Sequence, residues 1–280
     1  MTGGPHVVLP LGQNLKHLPE ARLKLFAFTI DLEADYAGVV DEYGIFKDTK
    51  NIEELLSALT SSGVKVTTFA VGEIFERYPD IIGLFEKYNC EIESHSFSHN
   101  FDHPDSDDEI EKSKAAFFNY FGRYPIGYRA PRGKISDSGI ASLERHGYLY
   151  DSSVFPSYFP DPFKYLFKNR EAHYYNDSGI MEIPFTSLSP ARLALSISYI
   201  KLLGLNFYKQ LSLPDVICFG SHLHDFIIKE ESFNKLPSIW KLIYSRNKYN
   251  GTEFCMKFLE HVKRKGYSFC YMSEIYNRYK

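Results

Sequence analysis

Short apolar segments alternate with segments of helical periodicity along most of this 280-residue chain, and that order limits the folds it can form. LKLFAFTID, VKVTTFAV and PDVICFGSH are strand-like, whereas NIEELLSALTSSG and SDDEIEKSKAAFFNYFG are helical, the latter with Ser106 and Glu109 at capping-box spacing. Strands joined through helices form a parallel sheet. About seven such repeats suit a β/α barrel, complete or distorted, with an open doubly wound sheet as the alternative.

Several motifs that would indicate another function are missing from the sequence. No GxGxxG turn follows the first strand, and the chain contains neither a GxxxxGK[ST] phosphate loop nor a GxSxG nucleophile motif. The four cysteines form no CxxC pair, which argues against a disulfide framework or a cysteine-ligated zinc site. The net charge of −3 gives no basis for a nucleic-acid-binding surface.

The sequence predicts one domain over residues 23–280, preceded by an N-terminal extension over residues 1–22. The extension lacks the basic segment, apolar core and cleavage site of a signal peptide. No apolar run reaches the roughly 18 residues of a membrane span. The longest candidate, ARLALSISYIKLLGL, has the spacing of an amphipathic helix, and a helix is predicted over PARLALSISYIKLLG (190–204). We therefore expect a cytoplasmic protein without a transmembrane segment.

Polar side chains cluster where the predicted strands end. Asp31 and Glu33 follow the first strand two residues apart, so an extended backbone places them on one side. His95 lies at the end of the strand CEIESHS, and His99 comes four residues later. Because the carboxyl ends of parallel barrel strands meet on one face, we expect these side chains to lie together.

Two further strand ends carry ionisable groups. Arg129 lies in RAPRG beside a proline-containing turn, and GSHLHD contains His222, His224 and Asp225 at the end of another strand. Each of these residues alone has a simpler explanation as a helix cap, an ion-pair partner or a loop histidine. Their occurrence at several strand ends of one face favours a shared site.

A catalytic metal site accounts for this combination of residues. Two imidazoles and one carboxylate, from His95, His99 and Glu33, leave positions open for water and substrate, as in catalytic zinc sites. Asp31 can then accept a proton from water while Arg129 keeps the Asp31 carboxylate ionised. A histidine on the opposite side can protonate a departing amine. The predicted chemistry is metal-assisted hydrolysis of an amide.

The order of the motifs resembles that of the polysaccharide deacetylases, the NodB-homology group also called carbohydrate esterase family 4. FTIDLEAD resembles the first motif of that family, HSFSH its metal-binding motif and RAPRG its third motif. YDSSV resembles the fourth motif, where a strand helps to line the substrate groove, and GSHLHD resembles the fifth. MEIPFTSL resembles a strand common before the fifth motif. The resemblance covers residues 23–275 and indicates a divergent branch.

The resemblance implies a fold, a metal ion and a set of site residues. The fold is a distorted (β/α)7 barrel, and the ion is zinc, with cobalt as the alternative. The implied base, its orienting cation and the acid are Asp31, Arg129 and His222. The implied metal ligands are Glu33, His95 and His99. His222 is favoured as the acid because it directly ends its strand; His224, held by Asp225, would support it or serve as the alternative acid.

Two departures from the family pattern bear on these assignments. Asp31 and Glu33 are separated by Leu32, whereas the family usually has two adjacent aspartates, so the longer Glu33 side chain must reach the metal. The fourth motif contains no tryptophan, which weakens the expectation of a chitin-like subsite.

The predicted function is that of a metal-dependent hydrolytic deacylase, an N-deacetylase or deformylase. Its expected substrate is an N-acylated amino sugar or glycan precursor, linked to a nucleotide or lipid, in surface polysaccharide biosynthesis. One alternative is an allantoinase-like small-molecule amidohydrolase. Another is a non-catalytic protein of the same fold that binds metal or sugar. The sequence does not indicate an oligomeric state.

Overall fold

The computed structural model describes residues 23–34, 44–158, 166–188 and 190–280. The predicted N-terminal extension lies outside these residues, so its boundary with the barrel domain stays a prediction. In chain order the described strands are β1 (Lys24–Leu32), β2 (Val66–Ala70), β3 (Glu91–Ser94), β4 (Gly127–Tyr128), β5 (Tyr150–Asp151), β6 (His173–Tyr174), β7 (Met181–Glu182), β8 (Ser187–Leu188), β9 (Leu193–Ala194), β10 (Val216–His222) and β11 (Tyr267–Phe269).

Most of these strands are separated by helices, as the alternating sequence pattern predicts. The described α-helices are α1 (Thr49–Ser61), α2 (Gly72–Arg77), α3 (Pro79–Lys87), α4 (Asp107–Phe121), α5 (Asp137–Arg145), α6 (Ile197–Leu203), α7 (Leu205–Gln210), α8 (Glu230–Lys235), α9 (Ser238–Ser245), α10 (Gly251–Arg264) and α11 (Met272–Tyr279). None of the helices in these described ranges is long and apolar enough to cross a membrane.

The main sheet has the strand order β10-β1-β2-β3-β4-β5-β7-β6, and β11 also pairs with β1. Its pairs are parallel except for β6 with β7. The sheet curls far enough for Thr186, just after β7, to reach β10: the Thr186 amide donates to the Cys218 carbonyl at 3.0 Å. The predicted α/β class with a distorted barrel in a single domain is confirmed.

Strand β1 has an apolar face towards the outer helices and a polar face towards the barrel interior. Alternate side chains of a strand point to opposite faces. Phe26 and Phe28 pack with Phe219 under the outer helices, at ring-centroid distances of 5.5 and 5.4 Å. Thr29 and Asp31 have the opposite parity and are buried in the barrel interior beside Arg129. The two-residue period therefore places polar groups inside the barrel at the end of a strand whose outer face is apolar.

The segment 190–204 departs from the predicted helix over its first half. Leu193–Ala194 forms strand β9, and helix α6 begins only at Ile197. The Ser196 side chain accepts a hydrogen bond from the Tyr199 amide and so starts the helix there. Pairing of β9 with β8 satisfies the preceding backbone, which overrides the amphipathic spacing.

Candidate metal centre and active site

The parallel register of the sheet brings the first and fifth motifs together. Asp31 at the end of β1 is the register partner of His222 at the end of β10. His95 directly follows β3, and Arg129 directly follows β4. The carboxyl ends of neighbouring strands thus supply the predicted residues to one face, as expected for a parallel barrel.

Glu33, His95 and His99 converge on a single point. Glu33 Oε2 lies 2.9 Å from His99 Nε2 and 4.0 Å from His95 Nε2, and all three side chains are buried. One ligand atom from each residue lies within 4.8 Å of the others. Two imidazoles and one carboxylate in this arrangement fit a divalent transition-metal ion such as zinc.

The orientation and charge of His95 suit a metal ligand. Its Nδ1 donates a hydrogen bond of 2.8 Å to the carbonyl oxygen of Arg129, which turns Nε2 towards Glu33. The pKa of His95 is lowered to about 3, chiefly by burial and also by the neighbouring His99 and Arg129, against an opposing contribution from Asp31. The imidazole is therefore neutral at physiological pH, the form that binds metal.

Asp31 is held as a carboxylate by Arg129. Asp31 Oδ1 lies 2.5 Å from Arg129 Nη1, and both side chains are buried. Burial alone would raise the pKa of Asp31, but Arg129, with smaller contributions from His95 and His222, holds it below its usual value. An ionised Asp31 can accept a proton over the physiological pH range.

The guanidinium of Arg129 is enclosed by protein on every side. Its central carbon lies 4.0 Å from the ring centroids of both Phe69 and Phe185. Nη1 also donates to the Thr29 hydroxyl at 2.9 Å, and Nε donates to the Ser152 carbonyl at 3.1 Å. Stacking and hydrogen bonds offset the cost of burying the cation and aim it at Asp31.

His222 is the histidine that faces the two carboxylates. Its Nε2 lies 3.8 Å from Asp31 Oδ2 and 3.9 Å from Glu33 Oε1, and its side chain is 32% exposed. Burial acts to lower the pKa of His222, but Glu33, Asp225 and Asp31 raise it to about 9. A protonated imidazole at the open side of the site can donate a proton to a leaving group.

His224 and Asp225 lie behind His222. The His224 ring is buried and stacks on the His222 ring at a centroid distance of 4.7 Å, and the Tyr244 ring contacts it at a right angle at 5.5 Å. Asp225 Oδ2 accepts a hydrogen bond from the His222 amide at 3.0 Å and lies 3.7 Å from His222 Nδ1. The structure thus brings all eight predicted residues together, whereas their chemical roles stay predictions.

Sequence comparison relates this site to a known family. Residues 33–150 match the sequence profile of the polysaccharide deacetylases. The matched stretch contains both histidines of the candidate metal centre, its glutamate and the arginine that contacts Asp31. Residues 33–150 belong to the polysaccharide deacetylase family.

Two curated relatives carry deacetylase names. The chain is 30% identical over 164 residues to the peptidoglycan deacetylase-like protein FGM2 of Gibberella zeae, covering 52% of this chain and 47% of that protein. It is 25% identical over 147 residues to the peptidoglycan deacetylase of Helicobacter pylori, covering 46% of this chain and 49% of that protein. The matched regions thus span about half the length of these relatives.

Solved structures share the fold over almost the whole chain. A protein of Mycobacterium smegmatis assigned as a polysaccharide deacetylase superposes with a TM-score of 0.58 at 18% identity, covering 97% of this chain and 93% of that chain. PdaA of Bacillus subtilis, a family 4 carbohydrate esterase, gives 0.51 at 16% identity over 92% and 83% of the two chains. An allantoinase gives 0.56 at 12% identity over 92% and 91%. At these identities the likeness concerns the fold alone.

One residue with a clear place in this candidate site was missed by sequence reasoning. Glu109 occupies the capping-box position of α4, and Ser106 does accept a hydrogen bond from the Glu109 amide. The Glu109 carboxylate, however, turns to the segment between His95 and His99. It accepts the Phe97 and Ser98 amides at 3.0 and 2.8 Å and the Ser98 hydroxyl at 2.6 Å.

This contact stabilises an unusual backbone. Ser96 and His99 have φ values of +59° and +57°, in the left-handed region that non-glycine residues seldom adopt. The buried Glu109 carboxylate therefore supports the conformation in which His99 reaches Glu33. Its capping-box spacing was the visible signal, but the sequence does not show which backbone amides the carboxylate accepts.

Proposed function

We propose that this protein is a metal-dependent deacylase that hydrolyses the amide of an N-acylated amino sugar or glycan precursor. One observation carries the proposal. The buried cluster of two imidazoles and one carboxylate lies beside Asp31, which Arg129 keeps ionised, and beside the partly exposed His222. Metal ligands, a base and an acid are the parts needed for metal-assisted amide hydrolysis.

The residues present suit a division of roles within the site. A divalent ion would be held by Glu33, His95 and His99, and it would supply a Lewis acid for the acyl carbonyl oxygen and lower the pKa of water. Asp31, kept ionised by Arg129, takes the proton from the attacking water. His222 gives a proton to the amino group of the sugar as the carbon–nitrogen bond breaks. We expect zinc, with cobalt as the alternative.

The proposed substrate class rests on the family match. Family membership over residues 33–150 supports removal of an acyl group from an amino sugar. We propose an acetylated or formylated sugar linked to a nucleotide or lipid, used in the synthesis of a surface polysaccharide. The cytoplasmic location expected from the sequence stays a prediction.

An acyl-release assay tests this function. The full chain, loaded with zinc or cobalt, is incubated with N-acetyl and N-formyl amino sugars that are free, nucleotide-linked or lipid-linked, and released acetate and formate are measured. We expect release from at least one substrate and a loss of about 100-fold or more in Asp31→Asn, which removes the general base. Release from no sugar, together with hydrolysis of cyclic ureides, would favour the allantoinase-like alternative.

A binding measurement separates the non-catalytic alternative. Sugars that bind with equal affinity to the wild type and Asp31→Asn, with no turnover in either, indicate a binding protein of this fold. Turnover in the wild type that disappears in the folded, metal-loaded Asp31→Asn protein supports the deacylase.

A further inference from the structure

Two acidic residues outside the candidate site form a buried carboxyl pair. Asp151 of the YDSSV motif and Glu182 of the MEIPF motif are register partners in β5 and β7, and both are fully buried. The Tyr175 hydroxyl lies 2.9 Å from Asp151 Oδ2 and 2.7 Å from Glu182 Oε2. The acidic residue of the fourth motif is thus enclosed in protein and does not line a groove.

The pair retains one proton. Burial raises the pKa of Glu182 well above its usual value, and the adjacent Asp151 raises it further. Burial also raises the pKa of Asp151, while a hydrogen bond from Glu182 partly offsets this. Since two carboxyl groups buried side by side cannot both ionise, we expect Glu182 to keep its proton and Asp151 to be the ionised partner.

Both carboxyl groups hold the backbone that follows β5. Asp151 Oδ1 accepts the Ser153 hydroxyl at 2.5 Å, and the Ser153 oxygen in turn accepts the Ala130 amide at 2.8 Å. Glu182 Oε1 accepts the Val154 amide at 3.0 Å. The pair therefore holds the two residues that follow Ser152 and, through Ser153, also the residue after Arg129.

Within this segment, Ser152 contacts Arg129 directly. Its carbonyl oxygen accepts from Arg129 Nε at 3.1 Å, and its hydroxyl oxygen accepts from Arg129 Nη2 at 3.1 Å. The same hydroxyl donates to the Ile183 carbonyl at 2.8 Å, next to Glu182. Two of the guanidinium nitrogens are thus placed by a segment that the carboxyl pair holds.

We propose that Asp151 and Glu182 are positioning residues for Arg129 and, through it, for the base Asp31. The pair holds Ser153 and Val154, and these fix the position of the adjacent Ser152, which contacts the guanidinium. This proposal rests on the deacylase function proposed above, because the distance from Arg129 to Asp31 matters for a base that takes a proton from water. Misplacement of catalytic groups by about 1 Å can cost about 100-fold in rate.

Kinetics of matched variants test the proposal. In Glu182→Ala we expect kcat to fall about 10- to 100-fold, with KM and metal content near wild type. Glu182→Gln mimics the protonated acid, since it keeps an acceptor for Val154 and a donor towards Asp151, and is expected to retain most of kcat. Glu91→Ala is the control: Glu91 accepts the Thr67 hydroxyl at 2.7 Å at the opposite end of β3, so its loss should lower Tm without lowering kcat.

A measurement that needs no turnover tests the positioning role of Asp151 and Glu182 even if the proposed deacylase function is wrong. The Nε–H resonance of Arg129, identified by its loss in Arg129→Lys, reports the bond to Ser152. We expect it to shift or broaden in Glu182→Ala but not in Glu91→Ala, even if no substrate is hydrolysed. A wild-type kcat and an unchanged resonance in folded Glu182→Ala overturn the proposal.

A second variant covers failure of Glu182→Ala to fold. Tyr175→Phe removes only the hydroxyl that contacts both carboxyl groups, and we expect a smaller loss of kcat with a shifted Arg129 resonance. An unchanged kcat and resonance in that variant likewise overturn the proposal. If Glu91→Ala and Tyr175→Phe had the same Tm and lost the same fraction of kcat, Asp151 and Glu182 would only stabilise the fold, and the proposal would be overturned.

Discussion

The carbonyl oxygen of Arg129 accepts a hydrogen bond of 2.8 Å from Nδ1 of His95, a proposed metal ligand. The side chain of the same arginine lies 2.5 Å from Asp31, the proposed base. One residue thus orients a ligand through its backbone and the base through its guanidinium. The candidate metal centre and the proposed base therefore share a contact with Arg129, and a change at Arg129 should affect both.

Removal of either histidine ligand should abolish metal binding. We expect about one divalent ion per chain in the wild type and little in His95→Ala or His99→Ala, since the remaining ligands of a three-residue site bind weakly. Elemental analysis of the purified proteins measures this. His103→Ala, an exposed histidine in the same loop, should keep its ion. An undiminished metal content in both ligand variants would place the ion elsewhere.

Loss of Glu109 should weaken metal binding without removing a ligand. Glu109→Ala frees three donors of residues 97–98, and loss of such supporting contacts costs about 10- to 100-fold in metal affinity. Titration against a competing chelator measures the change. Glu111→Ala, at an exposed position of the same helix, is the control, and equal affinities in the two variants would contradict the role given to Glu109.

Replacing Arg129 by methionine should destabilise the protein. Arg129→Met leaves the buried Asp31 without its cation, and breaking a buried ion pair costs about 3–5 kcal/mol of the free energy of unfolding. Adding Asp31→Asn should recover much of that loss because the unpaired charge is gone. Denaturant unfolding of the wild type, both single variants and the double variant gives the coupling energy. Strictly additive effects would show that the two side chains do not stabilise each other.

Deacylase activity should fall at alkaline pH. The pKa of His222 is raised to about 9, so the protonated acid is present below that pH and is lost as pH rises through it. Asp225→Asn removes a negative charge near His222 Nδ1, which lies 3.7 Å from Asp225 Oδ2. The decline in kcat/KM should then begin about one pH unit lower.

The pH–rate profile of Asp177→Asn serves as the comparison for this experiment. Asp177 is exposed with φ +55°, a backbone conformation that asparagine tolerates. Its profile should match that of the wild type. A profile of Asp225→Asn that also matches the wild type would mean that His222 is not the group titrating.

Part of the fold can be predicted from the sequence because some elements are determined by residues close together in the chain. The apolar run of β1 and the Ser106 cap of α4 depend on near neighbours in the chain, and both elements occur where predicted. The first half of segment 190–204 was misread as helix because pairing of β9 with β8 decides its structure. Partners across a sheet are invisible to periodicity within one segment.

The sequence by itself determined which residue types stand at the strand ends, and hence the chemistry of the candidate site. Tertiary structure decided which atoms meet: Asp31 opposite His222, the Glu109 carboxylate on the loop between the ligands, and Asp151 against Glu182. The physical reason is that residue order and periodicity act over a few positions. Register, burial and the resulting pKa shifts depend on groups tens of residues apart, which only the folded sheet brings into contact.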